Sequence, residues 1–140
     1  MVTKIISVFL LLCCFVGNSI AADANDRDKR LAKLEKNIEE INKTLSAMSS
    51  ETFTMSMALD KSGKRPVVIQ ETIMRNMVNN GPEAEAFKTM DTKMAEEQQL
   101  HALCSMEEWV DVGVVYKIMM KDKDGGELFT LNLDLSKCRK

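Results

Sequence analysis

Residues 114–135 read VVYKIMMKDKDGGELFTLNLDL, and this stretch has the pattern of a β-hairpin. Apolar residues recur at every second position on either side of a central turn, as they do in strands that bury one face. Asp124-Gly125-Gly126 is the turn, because glycine tolerates the positive φ angles that tight hairpins require. The sequence therefore predicts two antiparallel strands near the carboxyl end of the chain.

The segment before the hairpin has helical features. Pro82 suits the first turn of a helix, and we predict that this helix runs to residue 103. A short helix follows, in which Ser105 and Glu108 match a capping box and Gly113 is the expected end.

Residues 66–79 carry two conflicting patterns. Ile69, Ile73 and Met77 share one face of a helix, whereas the β-branched residues 67–69 favour a strand. We predict a helix here and keep the strand as the alternative.

Residues 52–60 alternate between apolar and polar or small side chains, which predicts a half-buried strand. Its apolar positions are Phe53, Met55, Met57 and Leu59. Residues 61–64 (KSGK) then have the composition of a turn.

Residues 23–50 are predicted to form an amphipathic helix in front of a small domain at 51–140. Its apolar stripe has the three-and-four spacing of a coiled coil, and consists of Leu31, Leu34, Ile38, Ile41, Leu45 and Met48. A stripe this short is marginal as an isolated coiled coil. It either packs on the protein's own sheet, which we favour, or joins two copies of the chain, and we take it as a candidate interaction helix.

The amino terminus has the three parts of a secretory signal peptide. Lys4 precedes an apolar run at residues 5–16, and Ala21 and Ala22 are small residues suited to peptidase cleavage. The apolar run is shorter than the roughly 20 residues that cross a bilayer. We therefore predict a signal peptide at 1–22, export to the periplasm or beyond, and no stable membrane anchor after cleavage.

Removing the signal leaves two cysteines, Cys104 and Cys138. In an oxidising compartment they most simply form one disulfide. Their wide separation does not match the Cys-x-x-Cys spacing of redox-active pairs. The predicted bond would staple a helix to the hairpin.

The charge of the mature chain excludes some partners. Without residues 1–22, which hold one lysine, 18 basic residues stand against 21 acidic ones, a net charge of −3. Nucleic-acid binding relies on neutralising phosphates with basic side chains, so no nucleic acid is expected as a partner.

Together these patterns predict an α+β fold. It would have an amino-terminal amphipathic helix, a three-stranded antiparallel sheet with helices on one face, and a disulfide-stapled carboxyl-terminal hairpin.

The carboxyl-terminal third resembles small, largely uncharacterised exported proteins of Gram-negative bacteria. The resemblance is carried by Cys104, Trp109, the strand Gly113-Val114-Val115-Tyr116, the turn Asp122-Lys123-Asp124-Gly125, and Cys138. It implies the fold and a periplasmic location, and it implies no activity. The heptad-like helix departs from that pattern.

No catalytic residues are predicted. The chain has one histidine, His101, and its nearest candidate partner is Cys104, which the predicted disulfide would consume. We therefore predict a non-enzymatic module without a cofactor, which binds a protein partner or itself. An inhibitor of a secreted enzyme is a further alternative.

Methionine is abundant, with ten residues left after signal removal. Thioethers suit Cu(I), but methionine also fills small cores and adaptable binding surfaces. A periplasmic Cu(I)-binding protein is thus an alternative function, with Met55, Met57, Met74 and Met77 as its candidate ligands.

Overall fold

The computed structural model describes residues 27–78 and 81–139, so the predicted signal peptide lies outside the described residues. Four strands form one sheet in the order of the chain. They are β1 (Phe53–Asp60), β2 (Val67–Met74), β3 (Val115–Lys121) and β4 (Glu127–Asp134). The helices are α1 (Arg27–Met48), α2 (Pro82–Lys88), α3 (Thr92–Leu103) and α4 (Glu107–Val112), and a 3₁₀-helix (Leu135–Cys138) follows β4.

The prediction of three antiparallel strands was wrong. The sheet has four strands, and its central pair, β2 and β3, is parallel, while β1–β2 and β3–β4 are antiparallel. The extra strand is β2, in the segment predicted to be a helix. A central strand has apolar residues on both faces, so its sequence lacks clean alternation and imitates a helical face at Ile69 and Ile73.

The parallel pair explains the three short helices. Two parallel strands need a long crossover connection between them, and α2, α3 and α4 supply it between β2 and β3. α1 packs on β1 and α4, whereas α2 and α3 pack on β4. None of the helices in the described ranges is long and apolar enough to cross a membrane.

One hydrophobic core lies between the helices and the inner face of the sheet. Alternate residues of all four strands point into it, as the two-residue period of a strand requires. Those that are buried and apolar are Met55, Met57, Val68, Met74, Tyr116, Ile118, Met120, Phe129, Leu131 and Leu133.

The predicted helix from residue 82 to 103 is two helices. Thr89 ends α2, and Asp91 begins α3 because its side chain accepts a hydrogen bond from the Met94 backbone N–H at 3.1 Å. Such a carboxylate cap satisfies an amide that a continuous helix would have paired internally. The prediction that Ser105 is the N-cap of the next helix was also wrong. The Ser105 hydroxyl donates to the Ala102 carbonyl, and Met106 is the N-cap of α4.

The carboxyl-terminal hairpin and its disulfide are confirmed. Gly125 has a φ of 84°, and the buried Asp122 carboxylate accepts hydrogen bonds from the backbone amides of Asp124 and Gly126. The Cys104–Cys138 disulfide joins the end of α3 to the 3₁₀-helix, with 5.3 Å between the two Cα atoms.

An arginine in the β1–β2 loop ties three parts of the fold together. Arg65 Nε donates to the Gly113 carbonyl at 2.9 Å, and its guanidinium forms a two-pronged ion pair with Asp134 at the end of β4. The Arg65 guanidinium, aided by hydrogen bonds from Ser136, holds the pKa of the Asp134 carboxyl well below its ordinary value.

We expect Asp134→Asn to lower the free energy of unfolding at pH 7 by about 1 kcal/mol, a modest figure because both partners are partly exposed. A depressed carboxyl pKa adds stability above the ordinary value near 4, and that stability is lost as the pH falls further. The difference between wild type and Asp134→Asn should therefore shrink below about pH 4. Urea unfolding at pH 7, 5 and 3 measures it, with Glu83→Gln on exposed α2 surface as control. A constant difference across this range would contradict the prediction.

Candidate interaction surface

The predicted interaction stripe is largely used inside the chain. Leu34, Ile38, Ile41 and Leu45 are buried against the sheet and α4, Leu31 is half-buried, and Met48 at the end of α1 is 36% exposed. A second copy could contact the four buried residues only if α1 left its own core. Self-association through this helix therefore stays a prediction.

The polar side of α1 closes one edge of the sheet. The Asn42 side chain accepts a hydrogen bond from the Met57 N–H at 2.7 Å and donates to the Met57 carbonyl at 2.6 Å, as a neighbouring strand would. Ser49 Oγ accepts from the Met55 N–H at 3.4 Å. Covering an edge strand in this way prevents another chain from pairing with it.

The opposite edge carries a similar contact. The Glu96 carboxylate on α3 accepts a hydrogen bond from the Asn132 N–H of β4 at 3.0 Å. Helices thus supply side-chain partners to both edge strands, which disfavours the addition of a further strand as a route to oligomers or to peptide binding.

The four methionines considered for Cu(I) are all buried in the core: Met55, Met57, Met74 and Met77. Their thioethers pack among apolar side chains, a common use of this flexible residue. Within residues 27–78 and 81–139, no group of three or more His, Cys, Asp or Glu residues is arranged to hold a metal ion. Cu(I) binding by the methionines stays a prediction.

The candidate catalytic pair is not assembled. His101 is exposed on α3, and the Cys104 sulfur is bonded to Cys138. A disulfide sulfur is not a thiolate, so it offers His101 no nucleophile to activate.

The outer face of the sheet carries apolar residues that lie outside the core. Five apolar residues on the two central strands point to this face, are half-buried, and do not belong to the core: Val67, Ile69, Ile73, Val115 and Met119. Across the parallel pair Val67 lies opposite Val115, and Ile69 lies opposite Lys117. We call this set of residues, with Glu71, Lys117 and Lys121, the outer face.

The charges of the outer face are unevenly matched. Lys121 forms an ion pair with Glu71 at 2.6 Å. Lys117, in the middle of β3, forms no ion pair with any carboxylate of the described residues, although it is half-buried between Ile69 and Asn132. The outer face therefore presents one unmatched positive charge within an apolar surround.

Sequence reasoning missed the outer face because half of it lies on β2. Because residues 66–79 were predicted to be a helix, Val67, Ile69 and Ile73 were not placed on the sheet. The available signal was that β3 is apolar at both alternating positions, with Val115 and Met119 as well as Tyr116 and Ile118. A strand of this composition is typically a central one.

The fold of this chain, but not its sequence, matches a known protein. No protein-family model matches the chain, and no curated protein sequence matches it. Among solved structures, the chain is similar to a candidate secreted protein from Pseudomonas aeruginosa, with a TM-score of 0.51 and 17% sequence identity. The match covers 79% of this chain and 96% of that protein. This match agrees with the resemblance to exported bacterial proteins at the level of the fold. A sequence identity this low carries no information on activity.

Proposed function

We propose that this chain is an exported, non-enzymatic protein-binding domain that contacts its partner through the outer face. The observation that carries the proposal is the adjacency of five half-buried apolar residues on β2 and β3 that no core residue covers. Contiguous exposed apolar surface rimmed by polar groups is typical of interaction sites.

Export is supported by three independent features. The sequence begins with a signal-peptide pattern, the fold contains the Cys104–Cys138 disulfide, and the similar Pseudomonas aeruginosa structure is described as a candidate secreted protein. Disulfides persist in oxidising compartments outside the cytoplasm. Both the periplasm and the exterior of the cell meet this condition.

The size of the outer face favours a transient partner over a permanent one. The whole outer side of the sheet, with four strands about 4.8 Å apart and about 25 Å long, offers roughly 500 Å², and the outer face is its central half. Burying this on both partners removes about 1,000 Å², the lower end of specific interfaces. The partner expected is a protein surface with apolar side chains and a carboxylate placed to meet Lys117.

Lys117 sets the chemistry of that partner. The ammonium of this half-buried lysine gains from a nearby carboxylate, and complementary charge mainly steers encounter and fixes orientation. The side-chain caps at both sheet edges and the buried stripe of α1 favour the outer face over these other surfaces as the place of contact.

Site-specific photo-crosslinking in the native cell tests the proposal. A photoreactive residue at Ile69 should give a discrete cross-linked protein that is lost on adding Lys117→Glu. The same residue at Ser46, on the exposed side of α1, is the matched control and should give no such adduct. An adduct from Ser46 alone, or from neither position, would overturn the use of the outer face. A cross-linked species with twice the mass of the mature chain would identify the partner as a second copy.

A further inference from the structure

The core contains a group of polar and aromatic side chains from β2, β3 and α4. Gln70 and Thr72 are neighbours on β2 and are 1% and 2% exposed. Gln70 Oε1 accepts a hydrogen bond from the buried Tyr116 hydroxyl. The Tyr116 ring in turn packs edge-to-face on Trp109, with 5.6 Å between the centroids.

Three polar atoms of this cluster have no partner among the described residues: Gln70 Nε2, Thr72 Oγ1 and Trp109 Nε1. Each atom is inaccessible to solvent, and the residues that carry them are at most 2% exposed. Leaving a buried donor unpaired costs about 1–3 kcal/mol. Three such atoms in one small core would cost a substantial part of its stability.

The unmatched atoms are mainly donors. Gln70 Nε2 carries two N–H groups, Trp109 Nε1 carries one, and the Thr72 hydroxyl can donate or accept. Turning the Gln70 amide over would not satisfy it, because only one of its two ends meets the Tyr116 hydroxyl. A small acceptor from outside the protein would satisfy these donors, which no acceptor of the described residues does.

The neighbours of the cluster limit what that acceptor is. Met57 and Ile118 lie directly opposite Gln70, and Met55 and Met120 lie opposite Thr72. These side chains are all buried, and no charged side chain of the described residues is among the cross-strand neighbours. A neutral molecule is therefore favoured over an anion, and water is the smallest that accepts two hydrogen bonds and donates two.

We propose that the unpaired polar atoms of Gln70, Thr72 and Trp109 bind internal water in the core. Buried waters typically make about three hydrogen bonds to groups that the protein leaves unpaired, and occur about once per 27 residues. The water would satisfy Gln70 and Thr72 of β2 and Trp109 of α4, for which the described residues supply no direct partner.

Replacing Thr72 by valine distinguishes a hydrated site from a dry one. In a hydrated site, Thr72→Val removes a water ligand, and the unfolding equilibrium constant should rise about fivefold or more. In a dry site, the same change removes an unpaired hydroxyl, and the constant should fall. Thr54→Val on the outer-facing side of β1 is the matched control for the effect of valine in a strand.

The bound water is observed directly by NMR on the mature protein. The chain has one tryptophan, so its indole N–H gives one signal, and a long-lived water should give it a water cross-peak. A crystal structure should show a water within hydrogen-bonding distance of Gln70 Nε2. Stabilisation by Thr72→Val without a cross-peak would overturn the proposal. Extra mass in native mass spectrometry would overturn it in favour of a different small ligand.

Discussion

Replacing both Cys104 and Cys138 with alanine is expected to lower the free energy of unfolding by about 3–4 kcal/mol. The bond closes a loop between residues 34 apart in sequence, and cross-linking a loop of this length removes conformational freedom mainly from the unfolded chain. For a small domain this is a large share of the total stability. The melting temperature should fall by about 10–15 °C.

Urea unfolding followed by Trp109 fluorescence measures this change, because the single tryptophan is 1% exposed in the fold. Wild-type protein treated with a reductant is the natural control and should match the double variant. A loss of less than 1 kcal/mol would show that the link between α3 and the 3₁₀-helix constrains little of the unfolded chain.

Leu45→Ala is expected to cost about 3–4 kcal/mol, because Leu45 is fully buried and its truncation leaves a cavity that the core fills only in part. The next residue, Ser46, is exposed, and Ser46→Ala should change the free energy of unfolding by less than about 0.5 kcal/mol. Urea unfolding of both variants makes the comparison.

The protein-concentration dependence of unfolding identifies which chain Leu45 packs against. If α1 packs on its own sheet, the unfolding midpoint should not change with protein concentration, and light scattering should give the mass of one chain. A midpoint that rises with concentration, together with a mass that falls on Leu45→Ala, would instead support pairing of α1 between copies.

Elements with a strong local pattern were predictable from sequence. The β3–β4 hairpin follows from alternation around Gly125, and β1 follows from alternation at Met55 and Met57. The periodic stripe predicted the helix α1 and its buried face, with Leu34 and Leu45 both in the core. In each case the apolar side chains that define the period are also the ones that pack into the core.

β2 was not predictable from its local pattern. Val67 and Ile73 point to the outer face while Val68 and Met74 point to the core, and their environments depend on β1 and β3 on either side. The break between α2 and α3 was missed for a related reason, since Asp91 is an ordinary polar residue until its side chain caps the second helix.

By itself the sequence determined the helical stripe, the alternating strands β1, β3 and β4, and the pairing of Cys104 with Cys138. The helix and the strands follow from local periodicity. The disulfide was predictable although its residues are 34 apart, because only two cysteines remain outside the predicted signal peptide. Tertiary structure decided the rest: the parallel register of β2 on β3, the caps that Asn42 and Glu96 place on the sheet edges, and the outer face. Each of these joins residues that are distant in sequence, and their contact energies arise only after the chain has folded.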